Sequence, residues 1–464
     1  MLPVDSVLAH ADRHFEESVS RLCDLLRIPS VSTDPAYAGE VRRAAEWMRA
    51  ELAGLGFEAT IRDTPMHPMV VAHHPGPGGD GPHLLYYGHY DVQPPEPLEL
   101  WTSPPFEPAI VEAERGRRVV ARGAVDDKGQ VMTFLEAFRA WVAVHGTLPV
   151  RVTVLLEGEE ETGSPSLVPF LKANREELKA DVCVITDTNA WDIDTPAVTT
   201  RLRGMLYTEV TLHGPSRDLH SGLYGGMVLN PINALARLLG GLHDADGRVQ
   251  VPGFYDGIED PSAEELAMWR GLGFDEAAFL GGVGLATPMG EAGRMALERL
   301  WSRPTADING IWGGYTGEGS KTVIAAQASA KVSFRLVAGQ EPMAVLDGFR
   351  RFLEERKPAD ARIELRHFGA SPAYRVEPGS RFLRAALDGM GDVFDRPAVL
   401  VGSGGSIPVA TYVRKELGYD SLLVGFGLED DRIHSPNEKF ELRCLHNGIR
   451  SHVAMLGRFA ALGG

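Results

Sequence analysis

The sequence predicts an α/β fold in two parts: a domain with a largely parallel sheet over residues 1–199 and 373–464, interrupted by a smaller α+β domain over 200–372. Three observations carry this. The chain has 464 residues, beyond the length at which a single core usually divides. Short apolar runs alternate with helical periodicities in its first two-fifths. From residue 200 the texture changes to strands of alternating polarity, and beyond 372 the first texture returns.

The elements follow in order. Phe15, Val19, Leu22, Leu25 and Leu26 stand at helical spacing within 14–28, and a second amphipathic pattern over 40–55 is stopped by Gly54 and Gly56. Met69–Ala72, Leu84–Tyr87, Val150–Leu156 and Val182–Ile185 are short apolar runs of strand character, and the glycine- and proline-rich stretch 75–82 is a turn between the first two. Lys128–His145 is a helix with Val131, Phe134, Leu135, Phe138 and Val142 on one face. In the middle part, Met205–Leu212, Ala328–Val337 and Arg362–Phe368 alternate like half-exposed strands, with helices over Pro231–Leu242 and Met343–Arg356. Arg381–Met390 and Ser421–Phe426 then read as a helix and a buried strand.

Bulk properties exclude several classes. The formal net charge of -17 repels phosphate backbones and anionic membrane surfaces, so neither nucleic acid nor a membrane is expected as a partner. No run of about 18 apolar residues predicts a membrane span. The first 22 residues carry early acids and no long apolar core, unlike a secretory leader. Cys23, Cys183 and Cys444 form neither a disulfide framework nor a cysteine metal site, and free buried thiols in a reducing cytoplasm are expected.

Polar clusters follow several of the apolar runs. His89 and Asp91 follow LLYYG, Glu159, Glu160 and Glu161 follow VRVTVLLEG, Asp187 follows VCVIT, and His434 comes after SLLVGF and an acidic loop. Asp126 and Asp127 precede the helix at Lys128. Loops at the carboxyl ends of parallel strands share one crevice, where open α/β sheets bind ligands. Singly, each cluster has a plainer explanation: a hydrogen-bonded histidine, a solvated glutamate run, an aspartate capping a helix. Their coincidence favours a metal site. Imidazoles and carboxylates without thiolates suit zinc, manganese or cobalt. Five donors exceed the three that a catalytic zinc usually takes, which argues for two ions sharing a carboxylate. A spare carboxylate beside them can act as general base.

At this point the motifs resemble the dinuclear zinc metallopeptidases, the family that includes carnosine dipeptidases, aminoacylases, succinyl-diaminopimelate desuccinylases and glutamate carboxypeptidases. The resemblance rests on GHYDVQP at 88–94, RGAVDDKG at 122–129, LEGEEETGS at 156–164, DLHSGLYGG at 218–226, KTVI at 321–324, FRLV at 334–337, GGSIP at 404–408 and DDRIHSPNEKF at 430–440. It implies a three-layer catalytic domain interrupted by a lid and dimerisation domain, two divalent ions (zinc first, manganese or cobalt permitted), and a homodimer. His89 would bind one ion and His434 the other, with Asp126 bridging through a cis peptide to Asp127. Glu161 would complete the set of either histidine, and Asp187 would bind the opposite ion. Glu160 would be the general base on a water bridging the ions, with Asp91 orienting His89. His220 would reach a partner subunit's site and stabilise the oxyanion. Arg335 and Thr322 would bind the substrate's terminal carboxylate, and Ser406 its backbone. The ETGS anchor assigns the catalytic pair to Glu160 and Glu161 and leaves Glu159 as an ordinary variable position.

The long middle part, with RPTADINGIWGGYTGEGSKTVI at 303–324, is most similar to the dipeptidase branch. The expected activity is metal-dependent hydrolysis of dipeptides or short peptides with a free carboxylate. An N-acyl-amino-acid amidohydrolase (deacetylase, desuccinylase or carbamoylase) on the same site is the alternative. A non-catalytic binding protein would have lost a donor or the base, and all six residues are present.

Overall fold

The computed structural model describes residues 3–377, 379–405 and 407–463. The chain divides into two compact units, Met1–Thr200 with Val376–Val401 and Val409–Gly464, and Arg201–Arg375 with Gly402–Pro408. The boundaries lie within three residues of the expected 199/200 and 372/373, and Gly402–Pro408, expected in the larger unit, belongs to the smaller one. The cause is local. Within the smaller unit, Arg203 Nε donates to the Gly404 carbonyl at 3.3 Å, its main-chain N–H donates to Gly405, and Gly402 packs against Trp301 so closely that no Cβ would fit.

In the larger unit one sheet runs in the order Glu58–Arg62, Met69–His74, Arg151–Glu157, His83–His89, Val182–Ile185, Ser421–Gly425, Ala197–Leu202. The middle four strands are parallel. Antiparallel neighbours flank them on both sides. The central strands are buried along nearly their whole length, which is why they read as unbroken apolar runs instead of alternating ones. Helices Lys128–His145 and Leu442–Ala460 pack on one another, with Trp141 Nε1 donating to the Val453 carbonyl at 3.2 Å. A smaller sheet of Ala109–Ala113, Gly116–Val120 and Lys439–Glu441 was not expected from the sequence. Its strands are charged or half-exposed and carry no clear periodicity.

The smaller unit holds an antiparallel sheet in the order Thr305–Gly313, Gln327–Leu336, Gly204–His213, Arg362–Ser371. Gly204–His213 alternates strictly between buried and half-buried positions. Leu206, Val210, Leu212, Val332 and Phe334 form a core with residues of helices Pro231–Gly240 and Pro342–Arg356. The insert between 250 and 305 adds short helices, among them Ala263–Gly271, whose first turn is closed by a Ser262–Glu265 capping box. Among the described residues no helix is long and apolar enough to cross a membrane. All three cysteines are free and buried.

Candidate metal centre

The four central parallel strands of the larger unit each deliver a polar group at or beyond their carboxyl ends. His89 is the last residue of its strand, Glu160 and Glu161 follow Arg151–Glu157, Asp187 follows Val182–Ile185, and His434 lies in the loop after Ser421–Gly425. Asp126 stands two residues before helix Lys128–His145. The structure brings these groups together. His89 Nε2 is 3.1 Å from Asp126 Oδ1, and His434 Nε2 is 3.0 Å from Asp126 Oδ2 and 3.2 Å from Glu161 Oε2. Donor atoms of His89, Asp126 and Asp187 all lie within 4.8 Å of one another, and so do those of Asp126, Glu161 and His434. The geometry therefore groups Glu161 with His434 and Asp187 with His89. Asp126 belongs to both triads.

Asp91 serves two neighbours. Its Oδ1 is 3.4 Å from His89 Nδ1, which also meets the Asp91 main-chain oxygen at 3.1 Å. The same carboxylate accepts the main-chain N–H groups of Glu160 at 3.3 Å and Glu161 at 3.1 Å, so one side chain orients an imidazole and fixes the glutamate turn. The bond between Asp126 and Asp127 is cis, as expected. Asp127 does not cap the helix that follows; its Oδ2 accepts the His89 main-chain N–H at 3.1 Å. Glu159 is the one correction in this cluster. Its surroundings are not ordinary: it is fully buried, and it accepts the Thr64 hydroxyl at 2.5 Å and the N–H groups of His67 at 2.9 Å and Ser166 at 3.0 Å. Gln93 Nε2 donates to Glu161 Oε2 at 2.8 Å.

The electrostatics suit cations. Among the described residues, none of Asp126, Glu160, Glu161 and Asp187 forms an ion pair with lysine or arginine. Burial and the neighbouring aspartates hold Asp187 well above the usual carboxylate range, and burial with Glu161, Asp91 and Asp126 nearby pushes Glu160 up to about 7. Hydrogen bonds to Asp126 and Glu161 push His434 up to about 10, and those to Asp126 and Asp91 hold His89 high in spite of its burial. Buried and half-buried carboxylates whose only cationic neighbours among the described ion pairs are two imidazoles form a donor set that fits divalent ions.

The other expected site residues lie in the smaller unit. His220 and Thr322 meet on a short ladder, where His220 pairs with Val323 and the Ser221 N–H donates to the Thr322 carbonyl at 3.1 Å. Both side chains are exposed. Arg335 is half-buried on the strand Gln327–Leu336, beside Met205 and Thr305, and not on that ladder. It lines a cavity of about 790 Å³ with Arg203, whose guanidinium is lowered to about 10 by burial and by Arg335. Ser406 lies outside the described residues.

A carboxylate–imidazole cluster at the carboxyl ends of parallel strands, with a smaller α+β unit inserted in the chain, defines a metallohydrolase. The chain belongs to Peptidase family M20/M25/M40, whose profile matches residues 85–458. It is 30% identical to a Cys-Gly metallodipeptidase, DUG1, of Candida albicans over 97% of this chain and 96% of that protein. It is 28% identical to human Beta-Ala-His dipeptidase over 99% and 93% of the two chains. Its structure is similar to the M20 family metallo-carboxypeptidase Sso-CP2 of Sulfolobus solfataricus, with a TM-score of 0.81, 29% identity and coverage of 96% and 99%. The chain is a metallopeptidase of dipeptidase type, and these relatives do not favour the N-acyl amidohydrolase alternative.

Proposed function

We propose that this enzyme hydrolyses dipeptides and short peptides with a free C-terminal carboxylate, using two divalent ions, one held by His89, Asp126 and Asp187 and the other by Asp126, Glu161 and His434. The observation that carries the reading is the pair of donor triads sharing Asp126. Two such ions, zinc first and manganese or cobalt permitted, supply Lewis acidity that activates water and polarises a carbonyl at neutral pH. Glu160 is the base. The protein groups alone push it up to about 7; with ions bound it would be held lower, and its carboxylate would accept a proton from the attacking water. The same carboxyl then hands the proton to the leaving amine. Asp91 holds both His89 and the backbone that presents Glu160.

The remaining roles rest on residue chemistry and motif. Arg335 can grip a carboxylate through two parallel hydrogen bonds, and Thr322 and Ser406 can add single ones. His220, whose side chain is exposed, would donate to the developing oxyanion in the site of a second copy in a homodimer. Three free buried thiols agree with a cytoplasmic setting. The test is a panel of dipeptides, longer peptides and N-acyl amino acids, assayed after chelation and reconstitution with zinc, manganese or cobalt. Dipeptides with free carboxylates should turn over and their amidated forms should not. Turnover of acyl amino acids alone would replace this reading with the amidohydrolase one.

A further inference from the structure

The loop that carries His434 also carries a buried acid that neither the metal triads nor the proton transfer uses. Three non-glycine residues of this loop, Arg432, His434 and Asn437, have φ near +60°, a conformation that costs free energy unless neighbours enforce it. Asn437 is enforced: its Oδ1 accepts the Thr102 N–H at 2.7 Å, and its Nδ2 donates to the Leu100 carbonyl at 2.8 Å. The chain then enters the strand Lys439–Glu441, which pairs with Gly116–Val120 so that Lys439 lies opposite Val120. That register puts Glu438 beside the segment leading to Asp126, and the Ala121 N–H donates to the Glu438 carbonyl at 3.1 Å.

The Glu438 side chain turns inward and is fully buried. Its Oε1 accepts the main-chain N–H groups of Val125 at 3.0 Å and Asp126 at 3.1 Å. Its Oε2 accepts the Gly123 N–H at 2.9 Å and Arg122 Nη1 at 2.7 Å. Arg122, also buried, reaches on to the Pro94 carbonyl at 3.1 Å. Four donors therefore converge on one carboxylate, three of them from consecutive turns of one loop. The last of the three is the N–H of the residue whose two oxygens face His89 and His434.

We propose that Glu438 is a positioning residue that couples the two halves of the metal centre: the loop supplying one imidazole also clamps the backbone of the shared carboxylate. Moving the His434 loop therefore moves Asp126, so neither triad can form alone. The inference rests on the two-ion reading above and is separable from it by experiment.

The test uses the full-length enzyme with zinc or cobalt. Wild type is titrated first after chelation; failure to bind two ions would overturn the two-ion reading and this inference with it. Glu438→Gln keeps the volume but turns an amide NH₂ towards a donor. We expect binding of both ions to weaken together, by about 10- to 100-fold. The cobalt absorption spectrum should change, and kcat should fall more than KM rises at saturating metal. A folded Glu438→Gln protein that binds both ions with wild-type affinity and spectrum would overturn the proposal, even if its melting temperature fell, because that is what a merely structural ion pair would give. A wild-type measurement decides the matter should the variant not fold. Hydrogen exchange on chelated enzyme should show the amides of Gly123, Val125 and Asp126 protected without metal, and exchange at the rate of an exposed loop would overturn the clamp.

Discussion

Asp126 offers each carboxylate oxygen to a different histidine, and the Glu160 carboxylate stands beside this arrangement with no partner among the described side-chain hydrogen bonds. The two glutamates of the turn thus differ by environment. Glu161 faces His434 and Gln93, whereas Glu160 is ringed by acids and pushed up to about 7. Glu160→Gln should therefore keep both ions, measured by metal analysis, and lose about 10²- to 10⁴-fold in kcat, the range for one acid–base group. Normal turnover would show that the proton goes elsewhere. That His89, Asp126, Glu161, Asp187 and His434 come together was legible in the sequence: the first four sit close behind an apolar run or just before a helix, and His434 was picked out by its motif. Glu438 and Glu159 were not. A glutamate that ends up hydrogen-bonded to three backbone amides has the same local sequence signature as one that ends up in water, and only the path of the distant segment tells them apart.

At the level of elements, the start of helix Lys128–His145 is set by contact with the loop before it. Gly129 is helical, yet a Cβ there would collide with the Ala124 carbonyl oxygen and lie 2.8 Å from Phe440. Gly129→Ala, which in an exposed helix would stabilise, should here cost about 1–3 kcal/mol in chemical denaturation of the chelated protein and should also weaken metal binding. A neutral or stabilising result would mean that the loop yields freely. The sequence made the central strands readable because burial on both faces leaves a plain apolar signature. Ala109–Ala113 and Gly116–Val120 were missed because they are short, charged and half-exposed. The helices of the 250–305 insert were missed for the same reason: Ala263–Gly271 buries only Trp269.

Two predictions concern the whole molecule. His452 lies in the core of the larger unit among the rings of Tyr86, Phe134 and Phe426, and neither ring nitrogen has a hydrogen-bond partner among the described residues. Burial lowers it from 6.5 to about 3. Between those values the unfolded chain takes up a proton that the folded chain refuses, so stability is full above the upper value and falls as pH drops through the window. This one group contributes a slope of up to about 1.4 kcal/mol per pH unit. His452→Leu should remove that slope from denaturation curves recorded across the window, and an unchanged slope would show that the ring already has a partner. The second prediction concerns the homodimer. If His220 serves a partner's site, His220→Ala and Glu160→Gln, each inactive, should recover about a quarter of wild-type activity after mixed refolding, since about half the dimers pair the two variants and each then holds one intact site. No recovery, in a sample shown to be mixed, would place His220 in its own subunit's site or in none.

The position of Ser421–Gly425 has a consequence for how the enzyme is made. This strand lies between Val182–Ile185 and Ala197–Leu202, although the whole smaller unit separates them in sequence. By chain order, the position of this strand in the larger sheet stays unfilled until the smaller unit has been synthesised. His89, Asp126, Glu161 and Asp187 are made early, and His434 follows the strand that closes the slot. If these five residues hold the ions as proposed, their set is completed only by the segment that follows Ser421–Gly425.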